Sequence, residues 1–188
     1  VDEEQLRLGR KENQKGIGHR QHGHGKGKTT AAIGVMFRAW GRGLRVCMIQ
    51  FIKAETGNWG EVRAARKLGI EWHSMGDGFT WLSKDIDASA DKARHAWKAA
   101  QDKIVSGDYN LVILDEMTYA FHNNWLDVNQ VIAWLRENKP PMLTSSSPVA
   151  MLRSLIDFAD LVTEMTKIKH PFDEGILAQA GVNSDSPP

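Results

Sequence analysis

The sequence holds a single cysteine, Cys47, which excludes a disulfide framework within the chain. A lone thiol inside an apolar run fits a reducing compartment, and the expectation is a cytoplasmic protein. An excess of one charge is missing too. Twenty-four Lys and Arg stand against 23 Asp and Glu, a formal net charge of +1. That gives no global field for nucleic acid, and no basic stripe is interleaved with aromatics. No apolar run approaches the ~20 residues of a membrane span. The first residues, Val1-Asp2-Glu3-Glu4-Gln5, are too polar for a signal peptide. The chain is therefore expected to have neither a nucleic-acid nor a membrane partner. Tryptophan, by contrast, is plentiful at seven, and most of these large apolar side chains are expected to pack in a core.

A chain of 188 residues suits one domain. An apolar run that reads as a doubly buried strand occurs at 45–52, and further strand candidates at 70–75, 111–114, 142–145 and 161–165. Helical segments alternate with them at 30–40, 58–68, 85–105, 127–137 and 149–159, with Asp127 as a cap. This alternation predicts an α/β fold with three layers, a mostly parallel sheet with helices on both faces. Residues 1–22 are polar and read as a flexible N-terminal arm or helix, 23–183 as the folded domain and 184–188 as a tail.

The sharpest local signal is Gly23-His24-Gly25-Lys26-Gly27-Lys28-Thr29-Thr30. Glycines let the backbone curl so that several N–H groups point at one anion. The helix that follows aims its positive end at the same place. Lys28 brings a mobile positive charge to phosphate, and Thr29 a hydroxyl for Mg²⁺. The bland alternative is a glycine-rich surface turn, but Gly-Lys-Thr-Thr running straight into a helix is uncommon in such turns. The segment before the loop, Ile17 to His22, has one aliphatic residue. As a central strand it would bury polar groups at about 1–3 kcal/mol each if unpaired, so a poor strand or no pairing is expected. His19, His22 and His24 also raise metal ligation, against which stands the plainer role of polar residues near a phosphate.

The second signal is Leu111-Val112-Ile113-Leu114-Asp115-Glu116, an apolar strand that delivers two carboxylates to its C-terminal end. Ligands of open α/β sheets bind at that edge, and a carboxylate there can hold Mg²⁺. A solvated acidic turn is the alternative. The two motifs in one chain and in this order argue for a nucleotide site.

Further stretches fit one family. They are Gln50-Phe51-Ile52-Lys53, Gly78-Phe79-Thr80-Trp81, Leu114-Asp115-Glu116, Ala159 to Met165, Lys169 to Gly175 and Ala178-Gln179-Ala180-Gly181. With the loop, in this order over about residues 23–182, they resemble the ATP:corrinoid adenosyltransferases of the phosphate-loop type. The resemblance implies a P-loop NTPase (RecA-like) fold. It also implies transfer of the 5′-deoxyadenosyl group of ATP to the Co(I) centre of a corrinoid, with release of triphosphate.

It further implies Mg²⁺ as cofactor, ATP and a corrinoid as substrates, an electron donor such as a flavoprotein, and a homodimer. Gly23, His24, Gly25, Lys26, Gly27, Lys28, Thr29 and Thr30 would hold ATP, with Arg38 matching a family arginine that faces the nucleotide. Thr29, Asp115 and Glu116 would serve the metal. Lys28 would stabilise the leaving triphosphate, and Phe79 and Trp81 match an aromatic pair against the corrinoid. Solvated charge for Arg38 and ordinary packing for the aromatics are the alternatives. The family carries Thr-Gly-Arg after the strand near residue 143, where this chain reads Leu143-Thr144-Ser145-Ser146-Ser147-Pro148. Loss of that arginine removes a contact of roughly 1.5–3 kcal/mol and predicts weaker ATP binding than in relatives that keep it. Two rival functions are a phosphate-loop kinase of small molecules and a non-catalytic protein that binds nucleotide or corrinoid.

Overall fold

The computed structural model describes residues 17–22, 26–54, 59–76, 78, 86–138, 142–146, 152–177, 179, 181 and 182. The strands are β1 (Ile17–His22), β2 (Val46–Ala54), β3 (Glu71–Gly76), β4 (Leu111–Asp115), β5 (Met142–Ser146) and β6 (Leu161–Glu164). The helices are α1 (Lys28–Gly41), α2 (Gly60–Lys67), α3 (Ile86–Val105), α4 (Thr118–His122), α5 (Val128–Asn138) and α6 (Arg153–Phe158). The strands form one sheet in the order β3-β2-β4-β5-β1-β6, and every described pairing is parallel.

Side-chain alternation explains why β2 and β4 lie inside. Val46 and Met48, with Leu111 and Ile113, face Ala32, Met36 and Ala39 of α1 and Val62 and Ala65 of α2. Cys47, Ile49 and Phe51, with Val112 and Leu114, face Ala93, Ala96 and Ala100 of α3 and the helices α4 to α6. Each strand thus buries both faces, which is why it reads as a continuous apolar run. The three-layer expectation holds.

One expectation is corrected. Residues 17–22 were assigned to an arm and expected to pair poorly or not at all, yet β1 pairs with β5 on one side and β6 on the other. The backbone of a strand pairs whatever its side chains are, and here the polar side chains find partial compensation. Arg20, 3% exposed, donates from Nη1 to Ser145 Oγ at 2.8 Å and lies over the Phe158 ring, 5.5 Å from its centroid. The Gly18 amide donates to Asp160 Oδ2 at 2.7 Å. Among the described residues, Arg20 Nε and Gln21 Oε1 are buried without a hydrogen-bond partner, which counts against the strand.

Other differences are local. Helix α4, five residues long, follows the acidic pair and is too short for a periodic signal. Helix α6 is shorter than the expected 149–159, of which 149–151 lie outside the described residues. Asp127 caps α5 as expected, accepting from the Asn129 and Gln130 amides at 2.7 and 3.1 Å. No described helix is long and apolar enough to cross a membrane.

Candidate functional site

Strand β1 leads into the glycine loop, and α1 begins at Lys28. Gly27, with φ 106°, is the residue before the first turn, and no side chain caps the helix. A side chain at that φ would be strained. An uncapped N-terminus presents amide donors and the positive end of the helix dipole to an anion. Lys28 is buried, at 9% exposure. Burial lowers its pKa, and the charges of Glu116 and Asp115 oppose that shift.

The acidic strand meets the loop helix directly. The Thr29 hydroxyl lies 3.3 Å from each Asp115 carboxylate oxygen and donates to them across 86 residues of sequence. Asp115 is fully buried at the end of β4. It also accepts a hydrogen bond from Gln50 Nε2 at 3.0 Å. Glu116 follows with φ 62°, an uncommon conformation for a residue with a side chain, as found at strained functional turns. Burial, and then the Asp115 charge, raise the Glu116 pKa to about 7, while Lys53 and Lys28 pull it down. Its Oε2 is buried and has no hydrogen-bond partner among the described residues. Lys28, Thr29, Asp115 and Glu116 are therefore brought together at the start of α1.

Of the other expected residues within the described set, Arg38 stands apart from this junction. Lys26 and Thr30 are exposed. Arg38 is exposed in the last turn of α1, ten residues beyond Lys28. At ~1.5 Å per residue that is about 15 Å along the helix. Gly23, His24, Gly25, Phe79 and Trp81 lie outside the described residues. Of the three histidines, His19 is half-buried with its pKa lowered by burial, while His24 and the side chain of His22 lie outside the description. Ser147 and Pro148 lie outside it as well. Beside β5, β1 supplies a guanidinium, that of Arg20, bonded to Ser145.

Sequence reasoning missed a ring of residues around the acidic pair. Lys53 Nζ pairs with Glu61 Oε1 at 2.5 Å and stands 4.9 Å from the centre of the Trp59 ring. Gln50, like Lys53, carries no individual role in the sequence pattern beyond the stretch Gln50-Phe51-Ile52-Lys53. The signal that could have found it is a polar residue in an otherwise apolar strand, Met48-Ile49-Gln50-Phe51-Ile52. A cleft of about 670 Å³ opens along the C-terminal half of β3, lined in part by Trp72, Ser74, Met75 and Gly76. Gly76 is needed for the close passage of β3 over β2, since a Cβ there would stand 2.0 Å from the Ile52 carbonyl oxygen.

A parallel sheet, a glycine loop opening a helix, and a Thr–Asp contact between that helix and an acidic strand define an α/β phosphate-loop protein. The model of the family described as "ATP:corrinoid adenosyltransferase BtuR/CobO/CobP" matches residues 14–183. A corrinoid adenosyltransferase of Pseudomonas aeruginosa is 36% identical over 162 residues, 85% of this chain and 79% of the relative. One from a Sinorhizobium species is 36% identical over 178 residues, covering 92% and 82%. One from Escherichia coli K12 is 34% identical over 161 residues, covering 86% and 82%. The chain belongs to the ATP:corrinoid adenosyltransferase family, and neither the kinase nor the non-catalytic alternative is favoured.

Proposed function

We propose that this protein transfers the 5′-deoxyadenosyl group of ATP to the Co(I) centre of a corrinoid and releases triphosphate. The observation that carries this is the junction of Lys28, Thr29, Asp115 and Glu116 at the loop helix, in a chain of this family. The cobalt is the nucleophile, so the protein needs no nucleophilic side chain of its own. Its work is to hold ATP in line and to stabilise charge on the departing triphosphate. Lys28 and the α1 N-terminus do the second task.

The oxygen donors of Thr29, Asp115 and Glu116 suit Mg²⁺, and the orphaned Glu116 Oε2 is an acceptor that a hard cation satisfies. Mg²⁺ neutralises triphosphate charge when bound. Thr29 and Asp115 orient the metal end of ATP, and a bound cation favours the charged form of Glu116, which burial disfavours. Gly23 to Gly25 complete the phosphate cradle. Phe79 and Trp81, which match the family's aromatic pair in sequence, serve the corrinoid, where apolar contact excludes a ligand from the cobalt and eases its reduction. An electron donor reduces the cobalt, and two copies of the chain form a homodimer.

The test is turnover with ATP, a reduced corrinoid and Mg²⁺, followed by the light-labile cobalt–carbon absorbance and by triphosphate release. Both products must appear in equal amounts. Phosphoryl transfer to an acceptor, or binding of both ligands without either product, sinks the proposal.

A further inference from the structure

Gln50 links the metal end of the site to the β3 edge of the sheet. It is fully buried on β2, among apolar neighbours. Register sets it beside Asp115 on β4 and Ser74 on β3. Its Oε1 accepts from Trp72 Nε1 and from Ser74 Oγ, each at 3.0 Å. Its Nε2 donates to Asp115 Oδ2 at 3.0 Å. An isolated amide can be turned end for end, but this one is held. The Trp72 indole N–H can only donate, so it must face the oxygen, and the NH₂ must then face Asp115. Trp72 and Ser74 also line the cleft, so one side chain spans from the cleft wall to the carboxylate that meets Thr29.

We propose that Gln50 is a positioning residue for the metal–triphosphate end of the site: it orients the Asp115 carboxylate toward Thr29, and Trp72 and Ser74 set the direction in which it donates. The proposal rests on Asp115 serving the metal. A carboxylate that accepts from Gln50 Nε2 on Oδ2 is kept facing Thr29 on the loop helix instead of rotating about its own bond. Partners of this kind behind a metal's ligands commonly govern metal affinity by about 10–100-fold. The competing explanation is that Gln50 is there only to accept from the buried Trp72 indole.

Gln50→Glu separates the two. A glutamate still accepts from Trp72 and Ser74 but offers Asp115 no N–H. The experiment measures ATP affinity by calorimetry, once with Mn²⁺ and once with a chelator, and takes the ratio. In Gln50→Glu that ratio falls about tenfold while metal-free ATP affinity stays within about twofold. Gln50→Met, which fills the same space without either polar end, lowers the ratio equally and serves if the glutamate variant does not fold. A native ratio in whichever of these variants folds overturns the proposal and leaves Gln50 as a partner of Trp72. Asp115→Asn is the control. If it keeps the native ratio, the assignment of Asp115 to the metal fails. If it loses the ratio while the Gln50 variants keep it, the Gln50 proposal alone fails.

Discussion

Two carboxylates at opposite ends of the sheet are driven in opposite directions. Glu116, beyond the C-terminal end of β4, is raised to about 7 by burial and then by Asp115. Glu71, at the start of β3, is pushed up by burial too, yet hydrogen bonds from Lys103, Tyr109 and His73 outweigh it and hold the group at about 2. Lys103 and His73 each stand 2.6 Å from Glu71 Oε1, and the Tyr109 hydroxyl donates to Oε2. Cys47, Glu71 and His73 bring potential ligand atoms within 4.8 Å of one another. The lysine already neutralises the carboxylate, however, and burial, followed by the Glu71 charge, pushes the Cys47 thiol up to about 12. That end of the sheet is closed on itself. The Glu116 end keeps an acceptor unmet among the described residues, beside the helix that follows the phosphate loop, which is how a site differs from a structural network.

The contrast can be broken most directly with lysines. Lys28→Ala is expected to lower kcat/KM by about 10²–10³-fold with near-native melting, while Lys103→Ala leaves kcat within about twofold and costs about 1 kcal/mol in urea unfolding. Equal losses of activity in both would show that the two ends are not separate in function. A smaller effect follows from removing the acids. Without metal at pH 8, Glu116→Gln should stabilise the fold by about 1–3 kcal/mol, because it removes a buried charge, and Glu71→Gln should destabilise it by about 1 kcal/mol.

The pH dependence sharpens the same contrast. The folded pKa of Glu116 is raised, so its contribution is full below its ordinary value near 4.5 and is lost as pH rises through about 7. That of Glu71 is lowered, so its contribution is present above about 4.5 and is lost as pH falls toward about 2. Urea midpoints of the chelator-treated protein should therefore decline on both sides. Glu116→Gln should flatten the upper limb and Glu71→Gln the lower one. The smallest expected change concerns a third charge, this one fully inside the fold. Arg20 has Ser145 and Phe158 as neighbours but no acidic partner among the described residues, so Arg20→Met should raise stability by about 1 kcal/mol. A loss of stability instead would mean that the Ser145 bond outweighs the burial of the guanidinium.

Legibility in the sequence followed chemistry that is local along the chain. The apolar runs of β2 and β4 announced themselves because both of their faces are buried, and the end of β4 located the acidic pair. Strand β1 was misjudged because its side chains argue against burial while its backbone pairs on both sides. Helix α4 was missed because five residues carry no period.

By itself the sequence determined which short segments could hold a phosphate and a cation. A glycine loop running into a helix, and an acid pair closing an apolar run, are properties of consecutive residues. Only the tertiary structure decided that Thr29 touches Asp115, that Gln50 stands behind that carboxylate, and that Glu71 and Glu116 differ in charge behaviour. Those outcomes depend on which strands lie side by side and in what register. Both follow from packing the whole sheet between its helices, and no local stretch of residues encodes them alone.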